Sequence, residues 1–174
     1  MNRRRKKANS LLFYIKGAMA MKNQPNYYYQ AEIETLRDRF QFDFVSLALV
    51  QPAEDRFVLT WQYAAGNMND RYKRIVLHSG KGIAGIVFKT GKPMLIQNVN
   101  TDIESRDLFN YPIIVAEQLK SLGAIPLWEA ARVHGVLLVG YREENRLTQA
   151  AFDRFKEGLG KEFGAFHAGE VGQP

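Results

Sequence analysis

The residues best placed to do chemistry lie in one short run. Gly80-Lys81-Gly82-Ile83-Ala84-Gly85 is a literal G-x-G-x-x-G that follows an expected strand and opens an expected helix. In dinucleotide-binding folds this spacing marks a turn whose backbone approaches a pyrophosphate. The surroundings here argue against that chemistry. Such folds need repeated strand–helix–strand units, whereas the strands before Gly80 form a hairpin. The acidic partner expected about twenty positions on would be Asp102, past the end of the next strand. No Gly-Lys-Ser/Thr ending makes an NTPase loop. What survives is physical: a helix opening beside Gly82 offers unpaired N–H groups with partial positive charge, and these attract an anion.

A second helix start lies at Tyr111-Pro112-Ile113-Ile114, because proline suits the first helical position. Ile83 and Ala84 fall in the first turn of one short helix and Ile113 in that of the other, so two partly positive ends can converge. Trp61 sits on a strand and needs a partner for its indole N–H if buried. No other constellation offers chemistry. His78, His134 and His167 are too scattered for a metal site, and neither H-E-x-x-H nor a Ser–His–Asp pattern occurs. The acidic residues fall mostly on helix faces and loops. Cysteine is absent, which excludes disulfides, thiolate metal sites, iron–sulfur ligation, a cysteine nucleophile and a cysteine-linked chromophore. No catalytic residue, metal or cofactor is expected.

The elements that must position these residues follow from periodicity. Tyr29, Ile33, Leu36 and Phe40 make a helical stripe. A strand is expected at 43–50, with Val45, Leu47 and Leu49 on one face, and a turn at Pro52, Ala53, Glu54 and Asp55. The next strand puts Phe57, Leu59, Trp61 and Tyr63 on one face, and a third is expected at Arg74-Ile75-Val76-Leu77. After the helix ending near Gly91 come a strand at 94–98, a charged loop at 102–110, the short helix at Pro112, and strands at 122–127 and 133–141. Thr148 caps a last helix with the stripe Phe152, Phe155, Leu159, Phe163 and Phe166. Hairpins at both ends predict an α+β fold with a mainly antiparallel sheet.

With 174 residues the chain suits one domain with a real core, and no apolar run is long enough to cross a membrane. The net charge of +6 is concentrated in Arg3, Arg4, Arg5, Lys6 and Lys7; past them 19 basic residues face 18 acidic ones. A basic arm can touch phosphate or anionic lipid, but a solvated, poorly ordered terminus is expected, and nucleic acid is not an expected partner. The apolar run Leu11-Leu12-Phe13-Tyr14-Ile15 ends at Lys16, too short for a signal peptide. The expected location is the cytoplasm.

The stretch from Trp61 to Arg74 reads WQYAAGNMNDRYKR. With Gly80 to Gly85, Thr90-Gly91-Lys92, Tyr111-Pro112-Ile113, Ala124-Ile125-Pro126-Leu127-Trp128 and Val133 to Gly140, it resembles the GAF domains that serve as nitrate receptors in Firmicutes. The resemblance covers roughly 27–166. It implies a sheet with N- and C-terminal helices on one face and short helices lining a ligand pocket on the other. Residues 27–168 would form this sensor domain, 1–26 a basic segment and 169–174 a tail. The pocket would hold one nitrate ion without arginine, through the Trp61 indole N–H and the backbone N–H groups of Ile83, Ala84 and Ile113, with Tyr111 and Pro112 as wall. Ile83 stands where another aliphatic residue is expected, which leaves its backbone donor untouched. The implied partner is a sensor histidine kinase, modulated in nitrate-responsive regulation. A homodimer through the two amphipathic helices is the alternative to their packing in the core. Other readings of the same fold are a module for a different small ligand and a ligand-free dimerisation or adaptor domain. The GAF-like reductases of free methionine sulfoxide rely on cysteines, and this chain has none.

Overall fold

Helix, hairpin, short helices around one strand, hairpin and helix follow one another in the computed structural model, which describes residues 27–54 and 56–169. Helix α1 (Tyr27–Phe40) leads into β1 (Phe44–Ala53) and β2 (Arg56–Ala65). Helix α2 (Gly82–Thr90), strand β3 (Met94–Ile96) and helices α3 (Val99–Asp102) and α4 (Pro112–Glu117) follow. The long hairpin of β4 (Ser121–Glu129) and β5 (Arg132–Tyr141) comes next, then α5 (Gln149–Leu159) and the two-residue strands β6 (Glu162–Phe163) and β7 (Phe166–His167). The strands form one sheet in the order β2-β1-β5-β4-β7-β6, with β3 also on β4, and every pairing is antiparallel. The fold is α+β, as the hairpins at both ends predict. The basic N-terminal segment, residues 170–174 of the tail and Asp55 of the first turn lie outside the described residues.

The sheet separates two cores. On one face Val45, Leu47 and Leu49 of β1 pack with Ile33 and Leu36 of α1 and Phe152 and Phe155 of α5. Alternation puts Phe44 and Ala48 on the opposite face, against Ile83, Ala84 and Val87 of α2 and Ile113 and Ile114 of α4. The stripes of both long helices are thus packed against their own sheet. At the helix–helix contact Arg39 Nη1 donates to Gly158 O at 3.0 Å, and Phe40 meets Phe155 edge-on at 5.3 Å.

Four elements differ from expectation. Residues 75–78 are extended but belong to no strand: the chain forms a 3-10 helix at Asp70–Arg74 and then runs over the short-helix core. Ile75 and Leu77 still pack inward while Val76 is exposed, because any extended segment alternates, with or without a ladder partner. The last helix stops at Gly160, so Phe163 and Phe166 reach the core from β6 and β7 instead of a helical stripe. The strand after Gly91 is only three residues long, α3 follows it before the charged loop, and that loop holds a second 3-10 helix, Ser105–Asn110. Thr148 does cap α5, its side chain accepting from Ala151 N at 3.1 Å.

Candidate functional site

A register slip aims the tryptophan. Leu47 pairs with Tyr63 but Ala48 with Trp61, so β2 carries one more residue than β1 at that point. Such a bulge flips the alternation beyond it. Leu59 and Trp61 therefore face the short helices, whereas Tyr63 and Ala65 face α1. The expectation that Trp61 and Tyr63 share a face is corrected by this inserted residue; the side chain of Phe57, placed on that face too, lies outside the described residues. Trp61 is 3% exposed, and its Nε1 is buried with no hydrogen-bond partner in the described structure. An unmet buried donor costs about 1–3 kcal/mol, so this N–H is the feature that most demands an acceptor.

The indole lies on a small cleft with ≈ 10 Å³ of free space, about room for one water. All six residues expected at the site, Trp61, Ile83, Ala84, Tyr111, Pro112 and Ile113, line it, and Ile75, Leu77 and Gly82 complete the wall. Drug-sized ligands occupy roughly 300–1,000 Å³, so this cleft is far too small for a cyclic nucleotide, and even a small ion must part its walls to enter. No lining side chain is ionised at neutral pH. A wider depression of ≈ 380 Å³ lies between α1 and the end of β2, lined by Gln30, Glu34 and Arg37 among others. It is open to solvent and holds no unpaired buried donor.

Two helix starts meet at the smaller cavity. Neither Lys81 before α2 nor Tyr111 before α4 caps its helix with a side chain. The opening amides of a helix have no partner within it, and Ile83 and Ala84, which carry two of them in α2, both line the cleft. In α4 the first amides to bond back are Ile114 and Val115, both to Tyr111 O, and Pro112 has no N–H, which leaves the Ile113 amide at the opening. The glycine spacing now has local reasons. Gly82 has φ +63°, a left-handed turn that directs the chain into α2. At Gly85 a Cβ would lie 2.0 Å from His78 O, so only glycine lets α2 rest against the segment carrying Leu77.

One charged residue behind the cavity escapes the sequence reading. Glu117, at the end of α4, is fully buried. Its Oε2 accepts from Met68 N at 2.8 Å and from Arg142 Nη2 at 3.0 Å, while Oε1 has no partner among the described residues. Burial pushes its pKa above the usual carboxylate value, against the opposing pull of Met68 N and Arg142. Arg142 also donates from Nε to Glu117 O at 2.8 Å and from Nη2 to Gly66 O at 3.0 Å. A lone glutamate in a short helix and an arginine after a strand look like solvated charges, so no local signal distinguishes this pair. Ile75 and Leu77 were visible as an apolar alternation but pointed to a strand. Of the histidines, His134 faces Glu129 and His167 faces Glu162, each at 3.6 Å, and His78 is exposed. Among the described residues no group could hold a metal ion.

Comparison with known proteins points the same way. A family model described as GAF domain matches residues 17–157. No curated protein matches the chain. A solved structure of NreA from Staphylococcus aureus, mutated in its nitrate binding site, is 36% identical, with a TM-score of 0.65 over 70% of this chain and 88% of that one. A second such mutant structure is 31% identical, with a TM-score of 0.66 over 75% of this chain and 99% of that one. A free methionine-R-sulfoxide reductase from Neisseria meningitidis is 16% identical, with a TM-score of 0.59 over 84% of this chain and 83% of that one, and shows the fold alone. With most of its length inside the family match, and with helices and sheet laid out as above, the chain belongs to the GAF domain family.

Proposed function

We propose that this protein is a cytoplasmic nitrate receptor, not an enzyme, that modulates a partner sensor histidine kinase in nitrate-responsive regulation. The observation that carries the reading is the buried, unpartnered Nε1 of Trp61 beside a small uncharged cleft where two helices start. An acceptor there must be small and must also satisfy the amides of Ile83, Ala84 and Ile113. Nitrate is planar, monovalent and weakly hydrated, and it offers three acceptor oxygens. Phosphate carries more charge to desolvate and is ordinarily met by arginine or lysine, neither of which lines this cavity. Hydrogen bonds to a charged group contribute about 1.5–3 kcal/mol each, and four of them must offset the ion's dehydration, so roughly micromolar to millimolar affinity is expected. The likeness to NreA structures, described by their nitrate binding site, supports the same ligand. A sulfoxide reductase relying on cysteine is disfavoured by a chain that has none.

Calorimetric titration with nitrate, nitrite, chloride and a cyclic nucleotide tests the ligand. Nitrate is expected to bind and the nucleotide to give no heat; a flat nitrate trace removes the receptor reading. The kinase arm is tested by autophosphorylation of the partner in the presence of this protein, with and without nitrate. A rate indifferent to nitrate counts against it.

A further inference from the structure

Glu117 stands outside the cavity yet joins the two parts that hold its donors. Its carboxylate binds Met68 N, in the loop that continues the strand of Trp61. Its own helix carries Ile113 at the cavity, four residues away, about 6 Å along the axis. Arg142 ties both to the far side of the fold. Besides the carboxylate it reaches Gly66 O, and its backbone N–H donates to Asp43 Oδ2 at 2.7 Å, just after α1. Arg37 of α1 donates to Asp43 O at 3.3 Å. The other ionisable group close enough to sense Glu117 is Tyr72, on the neighbouring 3-10 helix.

An ionised Glu117 offsets the Arg142 guanidinium directly, whereas a protonated Glu117 leaves only the Asp43 carboxylate, held at the Arg142 backbone N–H, to oppose it, so the charge behind α4 becomes more positive. We propose that Glu117 is a positioning residue for the anion site: ionised it is clamped by Met68 N and Arg142, and protonated it frees the Arg142 charge, so that nitrate binds together with a proton. The inference rests on the nitrate reading above. Burial of the carboxylate and its unpartnered Oε1 favour the protonated form. A unit charge roughly 10 Å away at an effective dielectric near 20 alters affinity on the order of tenfold, so binding tightens by about that factor as pH falls.

The test is calorimetry of nitrate with the whole chain, between about pH 5 and pH 8 and in two buffers of different ionisation enthalpy. The variants are Glu117→Gln and, as control for the exposed imidazole beside cavity residue Leu77, His78→Gln. Proton uptake is expected on binding to the native protein and to His78→Gln, and none to Glu117→Gln, whose affinity should be flat with pH. A merely structural Glu117 would change the melting temperature of its variant and leave proton uptake intact, which overturns the proposal, as does a native protein that binds nitrate without taking up protons. If the native protein binds no nitrate at any pH, the receptor reading falls and this inference with it. Should Glu117→Gln fail to fold, carboxyl NMR of the native protein serves instead: nitrate must raise the titration midpoint of Glu117, and an unmoved midpoint refutes the linkage.

Discussion

An indole N–H buried without an acceptor weakens the free protein and strengthens whatever complex supplies one. Trp61→Phe removes that donor and keeps most of the ring. Nitrate affinity measured by calorimetry should fall by about 10- to 100-fold, the range for losing one hydrogen bond to a charged group. Stability of the free protein should move by less than about 1 kcal/mol, since relief of the unmet donor opposes the lost packing. A variant that binds nitrate normally would remove Trp61 from the site. Glu117 makes a different prediction. Its folded pKa is raised and its unfolded pKa is ordinary, so between the two the folded state holds more protons. Stability from this group therefore falls as pH rises through that window, and the full penalty remains above it. In urea melts, Glu117→Gln should flatten this slope at acidic pH. Trp61 was readable as a candidate because a buried indole always raises the question of its partner. Glu117 was not, because its burial depends on three segments far apart in sequence.

Among the elements, α2 is placed by the absence of a side chain. Gly85→Ala would set a Cβ against His78 O and push the helix from the segment that carries Leu77, so binding and stability should fall together, by nitrate calorimetry and thermal melting. Thr148→Ala, at the cap of α5 on the other face of the sheet, should cost about 1 kcal/mol and leave nitrate affinity unchanged. If both variants lose affinity alike, the two faces are not separable. The long elements were legible from period alone, and so was the start of α4, since proline announces it. The bulge at Trp61 and the missing third strand were not. Each depends on what lies opposite: β1 supplies one residue too few, and among the described residues no strand pairs with residues 75–78.

For the whole molecule, the antiparallel sheet keeps an aromatic-rich helix core apart from a face of short helices that holds the cavity. Among the described residues no helix is long and apolar enough to cross a membrane. A ligand that binds only the folded state stabilises it by about 2.7 kcal/mol at a hundredfold excess over Kd, which for this size raises Tm by roughly 5–10 °C. Nitrate should produce that rise at matched ionic strength and chloride should not. Equal shifts would point to a general salt effect. The antiparallel α+β layout could be read from the sequence because each strand's alternation and each helix's stripe is local, whereas the division of long and short helices between the two faces was implied only by the family resemblance. The convergence of two helix starts on one indole is tertiary: the two first turns allowed it, and the family resemblance specified it.

The central claim is that the Trp61 N–H itself contacts the anion. The chain has two tryptophans, so a proton–nitrogen correlation spectrum carries two indole signals, and Trp61→Phe identifies one of them. Titrated with nitrate, the Trp61 signal should shift progressively and saturate with the calorimetric affinity, while that of Trp128 stays in place. If nitrate binds and the Trp61 signal does not move, the account is wrong at its core.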